Sequence, residues 1–210
     1  MEIVTLGKTL EIAKEKMVTL MVGDIRFNIT CTPDNLRELA IGFVVSEGLA
    51  APGRICVRVE GDVIIVESAN LQHRPSPTVV KVRSSGSPGL LVSTDKLPAV
   101  SVERNFTLEE CRNALKYIET DWYKRTRGYH SAALVAKSGT ISRAYDVGRH
   151  NAVDKAIGMG IERNVNCARV FLLVSGRISE GMVTKCARCG IPLLVSKAAI
   201  LDSAIENAGK

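Results

Sequence analysis

Apolar residues in the first hundred positions follow two periods, one helical and one typical of strands. From Leu36 to Val44 they recur at helical spacing. Thr32-Pro33-Asp34 lies before this run and supplies a hydroxyl for the N-cap, a proline for the first helical position and an acid for the first turn. Gly48 follows the run and can end a helix. The pattern therefore predicts a helix that is capped by Thr32 and ends before Gly48.

Two short β-branched runs come next, Arg54 to Glu60 and Val63 to Glu67, and Gly61-Asp62 separates them. A two-residue connection of this composition is typical of a β-hairpin turn. A third run, Thr78 to Arg83, predicts another strand. We therefore expect the first half of the chain to be mixed α+β.

Serine, glycine and proline dominate the segment from Arg83 to Ser101. Such clusters between periodic segments are typical of loops. The sequence therefore predicts a domain boundary here, with a smaller N-terminal α+β domain over residues 1–100 and a C-terminal domain over residues 101–210.

Helix and strand patterns alternate in the second half. A capping box at Thr107–Glu110 predicts a helix. Ser131 to Tyr145 has the pattern of a hairpin, and beyond it helix, buried strand, helix, strand and helix follow with short connections. This order is typical of a parallel βαβ unit, so the C-terminal domain is predicted to be α/β. In the helix that begins at this capping box, the side chains expected to face inward are Leu108, Cys111, Leu115 and Ile118.

Composition and charge narrow the class of protein. Of 210 residues, 46% are hydrophobic and 24% charged, which favours a globular protein over a disordered one. The longest apolar run, Val170 to Val174, is too short to span a bilayer, and the N-terminus lacks the apolar segment of a signal peptide. We therefore expect a cytoplasmic protein without membrane association. A net charge of +6 favours an anionic partner, but no cluster of aromatic and basic residues indicates nucleic acid.

Two segments place a Gly-Arg pair at the entrance to a predicted helix. One contains Gly148-Arg149, and the other, Ser175 to Ser179, contains Gly176-Arg177 directly after the buried strand. A helix N-terminus attracts anions, glycine lets the backbone come close, and arginine binds phosphate through two parallel hydrogen bonds. The alternatives are two plain turns with solvated arginines, or one anion site formed by both pairs.

Two of the three histidines, His130 and His150, also stand beside glycine-containing segments. Each is expected either to be buried with a hydrogen bond or to contact a ligand. The candidate ligand-binding residues are therefore His130, Gly148, Arg149, His150, Ser175, Gly176, Arg177 and Ser179.

Cysteine usage favours reduced thiols, because most of the six cysteines stand singly among apolar neighbours. Cys186 and Cys189 form a Cys-x-x-Cys, the spacing of a redox motif or of half a zinc site. They lie late in a predicted helix, where the dipole raises the pKa of a thiol. Structural thiols, sulfur chemistry, a disulfide and a metal site all remain open. A zinc deaminase needs His-x-Glu, whereas this chain has His130-Ser131-Ala132, so we expect neither deaminase chemistry nor a tightly bound metal.

Four segments together resemble the motifs of the FdhD family of formate dehydrogenase accessory proteins. They are, in order, Thr32 to Gly48, Arg127 to Leu134, Asp146 to Gly158 and Ser175 to Ser196. The third is long and chemically varied, so chance does not account for it. The resemblance runs from about Glu15 to Ala208.

The resemblance implies a C-terminal domain with a cytidine deaminase-like α/β fold, a smaller N-terminal α+β domain, and a homodimer. It implies that the protein binds the guanine-dinucleotide form of the molybdenum cofactor. It also implies the relay of sulfur from a cysteine desulfurase to this cofactor on behalf of formate dehydrogenase. The expected partners are these two enzymes and a guanine nucleotide or pterin ligand.

This chain departs from the family at the loop that carries sulfur. The family has Cys-x-x-Cys after the third strand, whereas Ser84, Ser85, Gly86 and Ser87 stand here. A persulfide relay needs a thiolate, which leaves Cys186 and Cys189 as the remaining candidates for catalysis. Two hypotheses therefore remain, a sulfurtransferase and a non-catalytic protein that binds a pterin or guanine nucleotide or docks a partner. A second departure is Tyr145, which replaces the acid that usually precedes the aspartate of the third motif.

Overall fold

The computed structural model describes residues 2–5, 8–53, 55–67, 80–82, 88–90 and 97–209. In the first half, a four-stranded sheet has the order β4-β3-β6-β5, in which β3 and β6 are parallel and the outer pairs antiparallel. Two further antiparallel pairs join β1 to β2 and β7 to β8. The elements are β1 (Glu2–Thr5), β2 (Lys8–Glu11), β3 (Lys16–Val22), β4 (Ile25–Cys31), α1 (Leu36–Ser46), β5 (Cys56–Glu60), β6 (Val63–Glu67), β7 (Val80–Val82) and β8 (Pro88–Leu90).

In the second half, a four-stranded sheet has the order β10-β9-β11-β12. The strand β9 is antiparallel to both neighbours, while β11 and β12 are parallel and are connected through α5. The predicted βαβ unit is confirmed, but the sheet as a whole is mixed. The elements are α2 (Leu108–Ala114), α3 (Asp121–Thr126), β9 (His130–Ala136), β10 (Gly139–Asp146), α4 (Arg149–Glu162), β11 (Phe171–Val174), α5 (Glu180–Arg188), β12 (Leu193–Ser196) and α6 (Asp202–Ala208).

The hairpin turn predicted at Gly61-Asp62 is confirmed, since Gly61 has a φ of 59° between β5 and β6. The end of α1 before Gly48 is confirmed as well. The structure describes the third predicted strand only in part, as β7. The segment predicted as a loop contains the short strand β8, which pairs with β7, and its residues Ser84 to Ser87 lie outside the described residues.

The predicted cap of α1 is wrong. The helix begins at Leu36, and its N-cap is Asn35, which has a φ of 48° and makes no side-chain capping bond. Thr32 is used elsewhere: its backbone N–H donates to Asp146 over 3.0 Å, and its hydroxyl accepts from the backbone N–H of Val147 over 3.1 Å. A tertiary contact to the end of β10 thus replaces the local cap.

The prediction that Leu108 faces inward is also wrong, because this side chain is 70% exposed. The apolar cluster against this side of the sheet contains Cys111, Leu115 and Ile118 but not Leu108, which lies in the first turn of α2. The cap of this helix is confirmed, since the Thr107 hydroxyl accepts from the backbone N–H of Glu110.

One continuous apolar cluster contains residues from both halves of the chain, such as Leu20, Phe43, Leu134 and Ile157. Its centre is the crossing of α1 and α4, where the two helix backbones touch. A Cβ on Gly42 would overlap the carbonyl group of Asp154, and a Cβ on Gly158 would overlap that of Glu38. The division into two domains near residue 100 stays a prediction, and the halves are packed together through this crossing.

Among the described residues, no helix has both the length and the apolar character required to cross a bilayer.

Candidate functional site

The ends of three strands of the second sheet meet at one edge. His130 opens β9 opposite Asp146, which ends β10, and Ser175 directly follows β11. The backbone N–H of Ser131 donates to the Ser175 hydroxyl over 2.8 Å, and the backbone N–H of Ser175 donates to the carbonyl of Ser131 over 2.9 Å. These bonds fix the chain as it leaves β11, so Ser175 and Gly176 lie at the carboxyl end of that strand, as predicted.

The two Gly-Arg pairs are here termed the first corner, Gly148-Arg149, and the second corner, Gly176-Arg177. The first is confirmed as a helix entrance, because Gly148 is the N-cap of α4 and Arg149 its first residue. Glycine has no side chain to cap the helix, and Asp146 supplies the acceptor instead. Its Oδ1 accepts from the backbone N–H of Gly148 over 2.8 Å and from the Asn151 side chain over 3.0 Å. The buried carboxylate therefore caps the start of α4, where Arg149 is the first residue.

The second corner packs directly against the first. A Cβ on Gly176 would lie 3.2 Å from Cδ of Arg149 and 3.2 Å from Nδ1 of His130. Only glycine leaves both side chains this room without displacement. The two corners therefore adjoin, and His130 lies between them and the end of β9.

The second pair lies slightly farther from its helix than predicted. The helix α5 starts at Glu180 with Ser179 as its N-cap, so Gly176-Arg177 precedes it by three residues. The Ser179 hydroxyl lies 3.4 Å from Nε2 of His150, which is buried. The side chain of Arg177 is exposed. The structure thus brings together His130, Arg149 and Gly176, and separately pairs His150 with Ser179.

A buried lysine, Lys155, pairs with Asp146 at this edge of the sheet. Nζ of Lys155 donates to Asp146 over 2.8 Å, to Asp34 over 2.7 Å and to the carbonyl of Thr32 over 2.9 Å. Burial raises the pKa of Asp146, and the charge of Lys155 offsets part of that rise. The lysine also ties the loop before α1 to the corners.

His130 is held in its neutral form near neutral pH. Burial lowers the pKa of its imidazole, the charge of Arg149 lowers it further, and Asp146 acts in the opposite direction. A neutral imidazole has one donor and one acceptor nitrogen, so His130 can hydrogen-bond a phosphate or a sugar hydroxyl.

Sequence reasoning missed the buried charges. A second buried lysine, Lys185, donates to Asp154 over 2.6 Å, to Ser46 over 2.7 Å and to Glu47 over 2.7 Å. The available signal was the period of α4 and α5, since Asp154, Lys155 and Lys185 occupy positions among apolar, inward-facing residues. A charged residue at such a position is almost never buried unless it is paired.

Cys186 and Cys189 lie at the C-terminal end of α5 and are buried, free thiols. Burial raises the pKa of Cys186 to about 12 and raises that of Cys189 well above its ordinary value. Within the described ranges, no three histidine, cysteine or acidic side chains are grouped so that they could hold a metal ion. The geometry therefore favours structural thiols at this pair.

Comparisons with known proteins assign the chain to a family. The model of the FdhD/NarQ family matches residues 13–210. The chain is 32% identical to the sulfur carrier protein FdhD of Shouchella clausii, over 94% of this chain and 80% of that protein, and 28% identical to the one of Bacillus pumilus, over 96% and 82%. Its fold matches that of a putative formate dehydrogenase accessory protein from Desulfotalea psychrophila, with a TM-score of 0.79 over 100% of this chain and 86% of the other, at 20% identity. This protein is therefore a member of the FdhD/NarQ family.

Proposed function

We propose that this protein is an accessory protein of formate dehydrogenase maturation that binds the guanine-dinucleotide form of the molybdenum cofactor. Family membership supports the maturation role. The observation that carries the binding role is the contact of the two corners, in which Gly176 lies against both Arg149 and His130. The phosphates of the cofactor are the groups that such an arrangement recognises.

Three features of the corners favour an anion. The N-terminus of the 14-residue helix α4 carries the positive end of the helix dipole. Arg149 is the first residue of this helix, and its side chain lies against Gly176. Arg177 directly follows Gly176 in the chain. The negative charge of Asp146 is buried and paired with Lys155, so it opposes an incoming phosphate less than an unpaired carboxylate would.

Carriage of sulfur is the second candidate, because the relatives bear the name of sulfur carriers. In this chain the loop residues Ser84 to Ser87 contain no thiol. Burial raises the pKa of both Cys186 and Cys189, and a protonated thiol is a poor acceptor of sulfur. These features support cofactor binding without a persulfide on the chain itself. A desulfurase as partner, a homodimer and a cytoplasmic location stay predictions.

The binding role is tested by calorimetry with guanosine diphosphate as the probe. Arg149→Ala and Arg177→Ala should each weaken binding by about 1.5–3 kcal/mol, the range for a hydrogen bond to a charged group. The matched control is Arg112→Ala, which removes an exposed arginine from α2 and should leave the affinity unchanged. Equal affinity in the wild type and both corner variants would contradict a shared phosphate site, and an absence of binding to the folded protein would contradict the proposed function.

A further inference from the structure

A cavity of about 690 Å³ lies between α5, α6, β12 and residues 97–100. Its volume falls within the range of about 300–1,000 Å³ that is typical of small-molecule sites. Aliphatic side chains form most of its lining, among them Val183 of α5, Leu193 of β12 and Ile205 of α6. Of the described residues that line it, none is charged and none is aromatic. The cavity therefore disfavours ions and favours an uncharged, largely apolar occupant.

A buried amide interrupts this apolar lining. Asn207 of α6 lines the cavity and is 4% exposed. Its Nδ2 donates to the hydroxyl of Thr184 over 3.0 Å, and Thr184 is not part of the lining. Its Oδ1 is buried and has no hydrogen-bond partner among the described residues. Because the nitrogen is directed at Thr184 and the two branches of the amide diverge, the oxygen is the atom that Asn207 offers to a ligand.

The unpaired oxygen indicates what kind of ligand would be stabilised here. A buried acceptor without a partner costs about 1–3 kcal/mol. Water is a poor partner in this place, because a buried water needs about 2–4 polar groups and, apart from the weakly polar thiol of Cys186, Asn207 is the one polar side chain among the described lining residues. A ligand with one N–H or O–H donor on an apolar body satisfies the oxygen and fills the apolar volume together.

Backbone hydrogen bonds fix the walls of the cavity. The N–H of Ile178 donates to the carbonyl of Ala199 over 3.0 Å, and the N–H of Leu201 donates to the carbonyl of Ile178 over 3.0 Å. The N–H of Ile191 donates to the carbonyl of Cys186 over 2.9 Å. Since Ile178, Ile191 and Cys186 all line the cavity, a ligand meets a largely preformed site and needs to order little of it.

We propose that this cavity binds an uncharged, apolar small molecule with a single N–H or O–H donor, which donates to Oδ1 of Asn207. The inference does not rest on the proposed function, because the cavity shares no lining residue with the two corners. Indole represents the class of ligand, since it is a neutral, apolar bicyclic molecule with one N–H donor.

The test compares two ligands of the same shape on the full-length protein by calorimetry. Indole carries the N–H donor, and indene has the same bicyclic frame without it. Indole should bind about three- to tenfold more tightly than indene, which corresponds to the net contribution of a neutral hydrogen bond. Equal affinities for the two ligands, or no binding of indole, would show that the inference is wrong.

Variants locate the binding site. Asn207→Leu removes the acceptor and extends the apolar lining, so it should remove the preference for indole while both ligands still bind. Ala187→Phe places a ring into the cavity from α5 and should abolish the binding of both. Asn113→Leu is the matched control, because Asn113 is exposed on α2 and does not line this cavity. An unchanged preference in Asn207→Leu, or unchanged binding in Ala187→Phe, would place the ligands elsewhere and contradict the inference.

A second copy of the chain is the rival occupant, because Ile200 and Ile205 line the cavity and are 56% and 65% exposed. If copies cover the cavity, the apparent affinity for indole should fall as the protein concentration rises, and Ile205→Glu should restore it. That result would assign the cavity to a contact between copies and overturn the ligand site. An affinity that is independent of the protein concentration, together with the expected preference for indole, supports the ligand site.

Discussion

At the scale of single residues, the chemistry of the six cysteines depends on their burial more than on their spacing. Cys186 and Cys189 have the spacing of a redox pair but lie among core residues at the C-terminal end of α5. Burial also raises the pKa of Cys31, Cys111 and Cys167. Cys56 is the one exposed cysteine. Ionised thiols at neutral pH are therefore not expected at the pair.

We predict that the chain gains no stable sulfane sulfur at Cys186 or Cys189 when it is incubated with a cysteine desulfurase and cysteine. Both thiols are protonated and buried, so neither attacks a persulfide. Intact-protein mass spectrometry measures the gain of sulfur, and a Cys56→Ser background removes the exposed thiol. A reductant-sensitive gain of one sulfur that Cys186→Ala or Cys189→Ala abolishes would show that the pair is active.

His130 should make stability depend on pH. Its pKa is lowered in the folded state, so the unfolded chain binds more protons as the pH falls below the ordinary value of 6.5. The folded state should therefore lose stability between about pH 7 and pH 5. Urea unfolding across this range should show a smaller loss in His130→Gln than in the wild type, and parallel profiles of the two proteins would refute the shift.

The corner at Gly148-Arg149 could be predicted from the sequence, because a glycine before a helical pattern is a local signal. The contact of Gly176 with Arg149 and His130 could not, since it joins three segments that are distant in the chain. The stacking of Trp122 on Tyr145 was missed for the same reason. Trp122 and Tyr145 carry no mutual spacing signal, and only the packing of α3 beside β10 stacks them.

At the scale of elements, local hydrogen bonds explain where sequence prediction succeeds and where it fails. The cap at Thr107 is a bond between residues three apart and was predicted. The cap expected at Thr32 is absent because Asp146 and Val147, more than a hundred residues away, compete for its polar groups. A long-range partner of this kind leaves no trace in the local pattern.

The crossing of α1 and α4 should tolerate no side chain at its two glycines. Gly42→Ala and Gly158→Ala each place a Cβ against helix backbone, so we expect each to lower the free energy of unfolding by about 1–3 kcal/mol or more, despite the better helix propensity of alanine. Chemical denaturation measures this loss.

Gly160→Ala provides the contrast, because Gly160 lies in α4 as Gly158 does. Its Cβ would meet the end of the Leu134 side chain, which can rotate, where the other two would meet backbone. Its loss of stability should therefore be smaller than theirs, and equal losses at all three positions would contradict backbone contact as the cause.

At the scale of the whole molecule, two buried lysines join the halves of the chain. Lys155 links Thr32 and Asp34 to Asp146, and Lys185 links Ser46 and Glu47 to Asp154. Each lysine is fully buried, so its partners depend on it for compensation of their own charge. The mixed α+β class was predictable from the order of helices and strands, but this link between the halves was not.

Lys185→Met should lower the free energy of unfolding by about 3–5 kcal/mol, because it leaves the fully buried carboxylate of Asp154 without its cation. Lys197→Met is the matched control, since Lys197 pairs with Glu119 at the surface and its loss should change stability by about 0–1 kcal/mol. Thermal or chemical unfolding compares the two. Similar small effects would mean that the buried acids become protonated at little cost.

The contact of α1 with α4 also bears on how the protein is made. The ribosome completes α1 before it begins α4, and roughly a hundred residues separate the two helices, so at roughly 5–20 residues per second the first helix waits for roughly 5–20 s. During this interval the side of α1 that packs on α4 lacks its partner and is open to chaperones and proteases. Ribosome-bound chains arrested before α4 emerges should be cleaved readily near α1, and chains arrested after it should resist.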